Sequence, residues 1–353
     1  MGFHTLRVAA VEPLCADAAA ITFEVPPELC AEYAFAAGQS VTLRREVDGV
    51  EQRRSYSLCA PVGAPPRIGV REIADGLFSS WLVREVRPGT PVEVLAPSGR
   101  FRAEPRPGER HLCVAAGSGI TPVLSIAATV LEQPGTEVAL LYGNRTSGSV
   151  MFVDELADLK DRYGPRVQLV HVLSREARDA ELLTGRLDPD RLRRLLTELV
   201  PLDVLGVDHV WICGPFAMVR GAREVLAELG VPPERVHVEL FHVDEDDVPP
   251  PLRRAPVAPT GATSEVRVVL DGRSTVVTAA RDATVLDAAQ SARADLPFAC
   301  RGGVCGTCRA RVVEGEVEMR RNHALEPDEV VAGFVLTCQA EPVSATVSVD
   351  FDA

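Results

Sequence analysis

The chain has 353 residues, 46% of them hydrophobic, enough for two or three domains each with its own core. Its formal net charge of −13 argues against a nucleic-acid binder, which needs clustered Lys and Arg, whereas the arginines here lie among acids. No stretch approaches about 18 uninterrupted apolar residues, Met1–Leu6 lacks the pattern of a secretory signal, and of nine cysteines five (Cys15, Cys30, Cys59, Cys113 and Cys213) are dispersed and odd in number, which suits a reducing compartment. A cytoplasmic protein that binds neither membrane nor nucleic acid is expected.

Residues 1–104 show short alternating runs, such as Ser40–Arg44 and Val92–Leu95, broken by turn residues in the manner of an antiparallel barrel or sandwich. One amphipathic helix interrupts them, with Phe78, Leu82 and Val86 on one face of Leu77–Val86. From residue 105 the period changes. The apolar strand His111–Ala116 runs into Gly117-Ser-Gly119-Ile-Thr121-Pro122 and a helix, and strand and helix then alternate, through five strands, to residue 243. That alternation predicts a doubly wound parallel sheet with ligands at the carboxyl ends of its strands. Residues 244–263 are acidic and then rich in Pro and Ala, a semi-rigid linker. Residues 264–353 return to short strands. Asp271-Gly272 marks a hairpin, Thr284 caps a short helix with Asp287 in the capping-box position, and further elements are expected near Arg309–Val313, Glu326–Ala332 and Thr346–Asp350. A small mixed sheet grasping one helix accounts for them.

The most specific signal lies in this last region. Cys300, Cys305 and Cys308 are spaced C-x4-C-x2-C, and Cys338 follows at a distance, the arrangement of a plant-type [2Fe-2S] cluster. Gly302, Gly303 and Gly306 let the loop backbone approach the sulfurs, and its amides can then stabilise their negative charge. The alternatives are structural zinc, which ordinarily shows two paired knuckles, and disulfides. A cluster of this kind carries one electron at a time, so the rest of the chain has to supply electrons.

In the first region Arg54-Ser55-Tyr56-Ser57 lies on a strand and Gly76-x-x-Ser79 opens the helix. Free amides at a helix start and an arginine suit a phosphate, and Tyr56 offers a ring for stacking. In the second, Gly117 and Gly119 stand where a Rossmann fingerprint would, with Pro122 replacing the third glycine. Proline costs nothing in a first helical turn, and Thr121 is placed to cap that helix. Arg145 and Ser174-Arg175 follow later strands, where an arginine in place of an acid is the partner of a 2′-phosphate. Glu176 would serve a 2′-hydroxyl instead, and plain surface charge is the remaining alternative. Cys213-Gly214-Pro215 brings a cysteine to the same carboxyl edge. His111, His171, His209, His237 and His242 show no ligand spacing and read as structural, and no nucleophile elbow points to hydrolysis.

Taken in order, Arg54-x-Tyr56-Ser57, Gly76-x-x-Ser79, Gly117-x-Gly119-Ile-Thr121-Pro122 and Cys213-Gly214-Pro215 resemble the ferredoxin-NADP reductase superfamily across residues 1–243, and the tail resembles a plant-type ferredoxin. The three-part order looks like the reductase components of bacterial multicomponent oxygenases. Within them Val312–Met319, Asn322–Glu329 and Ala332–Gln339 are similar to the branch that serves a di-iron epoxidase. The resemblance implies an antiparallel β-barrel FAD domain (1–104), an α/β doubly wound NADP domain (105–243), the linker 244–263 and a β-grasp [2Fe-2S] domain (264–353). It implies that Arg54, Gly76 and Ser79 hold the FAD diphosphate, that Tyr56 stacks on the isoalloxazine, that Ser57 hydrogen-bonds near its N5, and that Glu239 and Phe241 close the flavin site. Gly117 and Gly119 would admit NADPH, Thr121 and Cys213 would border its nicotinamide, and Arg145, Ser174, Arg175 and Arg186 would receive the 2′-phosphate. Ser57, Cys213 and Glu239 are then the expected catalytic residues, and Cys300, Cys305, Cys308 and Cys338 the cluster ligands. The implied activity is electron transfer from NADPH through FAD and [2Fe-2S] to a di-iron oxygenase. The alternatives are another oxygenase partner, a ketosteroid hydroxylase or an aromatic-ring dioxygenase, and a non-catalytic ferredoxin-like carrier that senses nucleotide.

Overall fold

The computed structural model describes residues 2–73, 76–200, 203–242, 263–293 and 295–353. They form two compact units, one within Phe3–His242 and one containing residues 263–353. The expected linker lies outside the described residues except for Thr263, which already belongs to a strand.

The first unit opens with six antiparallel strands: β1 (Phe3–Cys15), β2 (Ala18–Glu24), β3 (Ser40–Val47), β4 (Val50–Ser57), β5 (Arg67–Arg71) and, after the helix α1 (Leu77–Arg84), β6 (Pro91–Leu95). Their order is β4-β3-β6-β1-β2-β5, and a bridge between Leu58 and Ile68 joins the two edges, so the sheet closes as a barrel. Alternate residues fill it, among them Leu6, Val8, Ile21, Phe23, Val41, Leu43, Val92 and Val94. Phe78, Leu82 and Val86 pack into the same core, although α1 stops two residues before Val86.

Five strands follow: β7 (Arg110–Ala116), β8 (Glu137–Asn144), β9 (Val167–Leu173), β10 (His209–Pro215) and β11 (Val236–His242). All pair in parallel, in the order β11-β10-β7-β8-β9. The helices between them are α2 (Ile120–Val130), α3 (Val153–Tyr163), α4 (Pro189–Arg194) and α5 (Phe216–Glu228). The single helix expected over 188–199 instead changes to a π turn at Leu195–Leu199. Strand order reverses between β7 and β10, which opens a crevice at their carboxyl ends.

Barrel and sheet share one core. α2 is buried almost all round, and Val123, Ile126 and Trp211 pack with Ala18, Ala20 and Phe101 from the barrel. Gly69 on β5 makes this contact possible, because a Cβ there would stand 2.5 Å from Thr121 Cγ2 and 2.6 Å from the Phe152 ring. The Ser125 hydroxyl on α2 donates to the Ala60 carbonyl at 2.6 Å across the seam.

At the opposite, amino-terminal edge of the sheet, register places His209 beside His111, and His237 beside Trp211. His209 Nδ1 lies 3.1 Å from His237 Nε2, and the Trp211 indole donates to His111 Nδ1 at 3.2 Å. Burial, reinforced by His209, pushes both His111 and His237 down to about 4, which keeps these rings neutral. They are packing groups, far along the strands from the crevice.

The second unit holds β12 (Thr263–Leu270), β13 (Arg273–Ala280), α6 (Val285–Gln290), β14 (Arg309–Glu314), β15 (Val317–Met319), α7 (Pro327–Val331), β16 (Phe334–Leu336), β17 (Ala340–Pro342) and β18 (Thr346–Asp350). A mixed sheet, β13-β12-β18-β14-β16, grasps α6 through Val285, Leu286 and Ala289, and β15 pairs with β17 as a separate ribbon. Asp271 and Gly272 both take positive φ, 51° and 66°, as the predicted tight hairpin requires. Thr284 Oγ1 accepts the Asp287 amide at 3.2 Å but gives its own proton to the Asp287 carboxylate at 2.8 Å, so only half of the expected capping box forms. Among the described residues no helix is long and apolar enough to cross a membrane.

Candidate functional sites

Strand alternation puts Arg54 and Tyr56 on one face of β4 and Ser57 on the other. The Tyr56 ring is half-buried against Phe78 of α1, centroids 6.1 Å apart. Arg54 is exposed; its guanidinium donates to the Arg53 carbonyl at 2.7 Å. Gly76 begins α1 so tightly that a Cβ would meet Ser79 Oγ at 2.6 Å. The Ser79 hydroxyl is spent on this turn, since it accepts the Ile73 amide at 3.0 Å. A phosphate here would therefore be held by main-chain amides and Arg54 more than by that hydroxyl.

The tightest convergence joins the two halves of the unit. Ser57 Oγ donates to Glu239 Oε2 at 2.8 Å, although 182 residues separate them. Register pairs Glu239 with Cys213 on the neighbouring strand. Burial pushes the Glu239 carboxyl up to about 7, with Ser57 pulling it partly back, and burial together with the Glu239 charge pushes the fully enclosed Cys213 thiol well up. Phe241 packs, partly buried, against the shared core two residues further on.

Gly117 takes φ 56° at the end of β7, where its carbonyl accepts the Tyr142 hydroxyl at 2.9 Å. Gly119 lies against the end of β10, and a Cβ there would stand 2.2 Å from the Cys213 carbonyl oxygen. Together they leave bare backbone at the switch point, a cradle that a nucleotide can approach. Thr121 does not cap α2 as expected. It sits inside the first turn, fully buried, with its hydroxyl donating to the Ser118 carbonyl at 2.9 Å.

The arginines gather at the neighbouring strand ends. The Ser174 and Arg175 amides donate to the Asn144 and Arg145 carbonyls at 2.9 and 2.7 Å, which brings the loops after β8 and β9 side by side. Arg145, Arg175 and Arg186 are all exposed. Arg145 pairs with Asp17 at 2.7 Å. Glu176 is taken by the amide and hydroxyl of Ser147 at 2.8 and 2.9 Å, which leaves it poorly placed to serve a ribose. Two groups here carried no sequence signal. Asp17 comes from the β1–β2 turn, far away in the chain. Asn144, 7% exposed, lies beside the Tyr142 hydroxyl without a well-aligned bond to it, and neither of its side-chain polar atoms has a partner among the described residues. A buried amide left open at the crevice fits a polar ligand.

In the second unit Cys300 Sγ accepts the amides of Gly302, Val304 and Cys305 at 3.3, 3.4 and 3.4 Å. The thiols associate in two pairs, Cys300 with Cys305 and Cys308 with Cys338. The Cys305 thiol and the loop amides draw Cys300 down to about 5, and the Cys308 thiol draws Cys338 down. Among the described residues no three His, Cys, Asp or Glu side chains converge on a single ion position. Two neighbouring thiol pairs suit two irons with two thiolates each.

A flavin shelf, a nucleotide crevice and a two-iron loop in this order define an electron-transfer oxidoreductase. Family models agree: an oxidoreductase FAD-binding domain over residues 5–103, an oxidoreductase NAD-binding domain over 113–224 and a 2Fe-2S iron-sulfur cluster binding domain over 268–343. The chain is 44% identical over 356 residues to a subunit of the 1,2-phenylacetyl-CoA epoxidase of Escherichia coli strain K12, covering 99% of this chain and 98% of that one. It is 34% identical to the 3-ketosteroid-9-alpha-monooxygenase, ferredoxin reductase component, of Rhodococcus rhodochrous, covering 98% and 96%. A phthalate dioxygenase reductase structure superposes with a TM-score of 0.59 at 23% identity, covering 99% of this chain and 98% of that one. The chain belongs to the family of FAD- and nicotinamide-binding reductases of the ferredoxin-NADP reductase type that carry a C-terminal [2Fe-2S] domain. Its cofactors are FAD, a nicotinamide nucleotide and a [2Fe-2S] cluster, and a non-catalytic nucleotide sensor is set aside.

The raised carboxyl has a measurable consequence. Because the folded value of Glu239 lies above the ordinary 4.5, the folded chain holds a proton between pH 4.5 and about 7 that the unfolded chain has lost. Stability therefore falls as pH rises through that window and levels off above it. Urea denaturation is expected to show Glu239→Gln gaining about 2–3 kcal/mol relative to the parent between pH 4.5 and pH 8; an unchanged difference between the two would refute the assignment. Because the two units have separate cores, Cys338→Ala is expected to lose the iron-sulfur absorbance while keeping bound flavin and nicotinamide-dependent dye reduction. Loss of flavin from this variant would count against independent units.

Proposed function

We propose that the chain is the reductase component of a di-iron phenylacetyl-CoA epoxidase, passing electrons from NADPH through FAD and the [2Fe-2S] cluster to that oxygenase. The observation that carries the partner is the identity with the Escherichia coli epoxidase component, 44% along nearly the whole of both chains, against 34% for the ketosteroid reductase component. The tail stretches Val312–Met319, Asn322–Glu329 and Ala332–Gln339 support the same reading.

Bound FAD accepts two electrons from the nicotinamide and returns them singly, and the cluster carries them one at a time. The chain's own residues bind, orient and hold protons. Arg54 and the amides after Gly76, with Ser79 shaping the turn, receive the flavin diphosphate, and Tyr56 stacks on the ring. Ser57 and Glu239 form a hydroxyl–carboxyl pair at the ring with Phe241 behind it, and Glu239, its carboxyl pushed up to about 7 by burial, can hold a proton while its Oε2 accepts from Ser57. Gly117 and Gly119 admit the nucleotide, and Thr121 and Cys213, both buried, lie behind the backbone that would border the nicotinamide. Ser174, Arg175, Arg145 and Arg186 form the basic rim for a 2′-phosphate, in keeping with an engaged Glu176. Cys300, Cys305, Cys308 and Cys338 ligate the cluster.

A preference for NADPH over NADH follows from that rim. Arg175→Ala should lower kcat/KM for NADPH by about tenfold, the loss of one charge-assisted phosphate contact, and leave NADH nearly unchanged; an unaltered ratio would exclude Arg175 from the phosphate site. The partner is tested by reconstitution. The purified reductase should support NADPH-dependent turnover of phenylacetyl-CoA with a phenylacetyl-CoA epoxidase oxygenase. Turnover with a ketosteroid hydroxylase or ring dioxygenase instead would transfer the assignment to that partner.

A further inference from the structure

Gln339 follows the fourth cysteine and is 2% exposed. Its Nε2 amide donates to the main-chain carbonyl of Arg301 at 2.7 Å, with the Cys338 carbonyl at 3.0 Å and Cys338 Sγ at 3.6 Å. Its Oε1 has no partner among the described residues. An orphaned buried acceptor is costly, so packing alone does not explain a glutamine where methionine would fill the same space.

Its donor explains more. Arg301 adopts φ 53°, an uncommon conformation for a residue with a long side chain. A planar trans peptide points the Arg301 carbonyl and the Gly302 N–H in opposite directions. The carbonyl meets Gln339, and the N–H meets Cys300 Sγ at 3.3 Å. A rotation of this peptide that freed one contact would break the other. Gln339 is well placed to resist it, since its own amide donates to the Leu336 carbonyl at 2.8 Å and its carbonyl accepts the Arg320 amide at 2.9 Å. The loop also leans on its stem, because a Cβ on Gly303 would stand 3.1 Å from Gln339 Cγ.

We propose that Gln339 is a positioning residue for the iron-sulfur cluster: by holding the Arg301–Gly302 peptide it aims the Gly302 amide at the Cys300 sulfur and ties the fourth ligand, Cys338, to the loop that carries the other three. Hydrogen bonds to cluster sulfurs are one of the settings of reduction potential, since they stabilise the extra negative charge of the reduced state. Gln339 therefore raises the potential through a peptide it does not belong to. The inference rests on reading these four cysteines as the ligands.

The test compares the full-length, cluster-loaded parent with Gln339→Met, which keeps the volume and removes the donor. In redox titration followed by EPR, Q339M is expected to shift the one-electron equilibrium toward the oxidised cluster by about tenfold, about 59 mV in midpoint potential. The g values of the reduced cluster should change, while NADPH-dependent flavin reduction stays the same. A parent potential and EPR signal retained in Q339M would overturn the proposal, even if the variant were less stable. Should Q339M assemble no cluster, Gln339→Asn, which keeps an amide donor at shorter reach, decides. A cluster in Q339N supports the peptide pin, and none would mark Gln339 as packing alone. A parent without a [2Fe-2S] spectrum would instead defeat the ligand reading, a result visible before any variant is made.

Discussion

A barrel and a parallel sheet can share one core only where a strand of the first lies directly on a helix of the second, and here that contact depends on an empty space at Gly69. With no side chain there, β5 reaches Thr121 and Phe152, and α2 is buried between the two sheets. Everything at the flavin–nucleotide site inherits this approach. Ser57 ends a barrel strand and Glu239 belongs to an edge strand of the parallel sheet, and they meet at hydrogen-bonding distance because the lobes behind them are one packed body. A larger residue at 69 would force α2 away and part the two groups without touching either.

The interactions in the molecule divide by how firmly they are held. The Ser57–Glu239 pair is partly buried, so a carboxyl there is costly as an anion and can exchange a proton near neutral pH. The Asp17–Arg145 pair lies at the surface, where an ion pair contributes only about 0–1 kcal/mol, so an incoming phosphate can replace the aspartate at little cost. At the cluster loop the sulfur charge is met by neutral amides. Those donors are fixed in the backbone and leave no opposing charge exposed when the loop meets another protein.

What the sequence shows follows the range over which each feature is determined. The C-x4-C-x2-C spacing and the Asp271-Gly272 hairpin are local, and a single window contains the whole constraint. The change from alternating strands to strand–helix units at residue 105 is equally plain, because burial on one face or on two leaves different apolar periods. Ser57 and Glu239 lie too far apart for any spacing rule, and only the resemblance to known reductases suggested their meeting. Gly69, Asn144 and Gln339 had no such help. Each is an ordinary residue in its own segment and takes its meaning from a distant neighbour, Thr121, the crevice and Arg301 respectively. Thr121 failed in the other direction: its position suggested a cap, but the turn at Gly117–Gly119 moves it one step into the helix, where its hydroxyl has only a carbonyl to bond.

Electron transfer to a separate protein asks the iron-sulfur unit to keep its properties wherever it meets its partner. Contacts that shape its loop are supplied, among the described residues, from within the unit itself. Arg301 pairs with Asp287 at 2.5 Å and lies over the Phe298 ring at 4.6 Å. Thr337 holds the Cys308 carbonyl through both its hydroxyl and its amide, at 2.9 and 3.1 Å, and Gln339 holds the Arg301 carbonyl. The two buried polar side chains that flank Cys338 thus reach back to both ends of the loop that carries the other three cysteines. The peptide orientations that set the sulfur hydrogen bonds are determined by residues of the ferredoxin unit, so the flavin and nucleotide lobes can supply electrons without also having to shape the site that receives them.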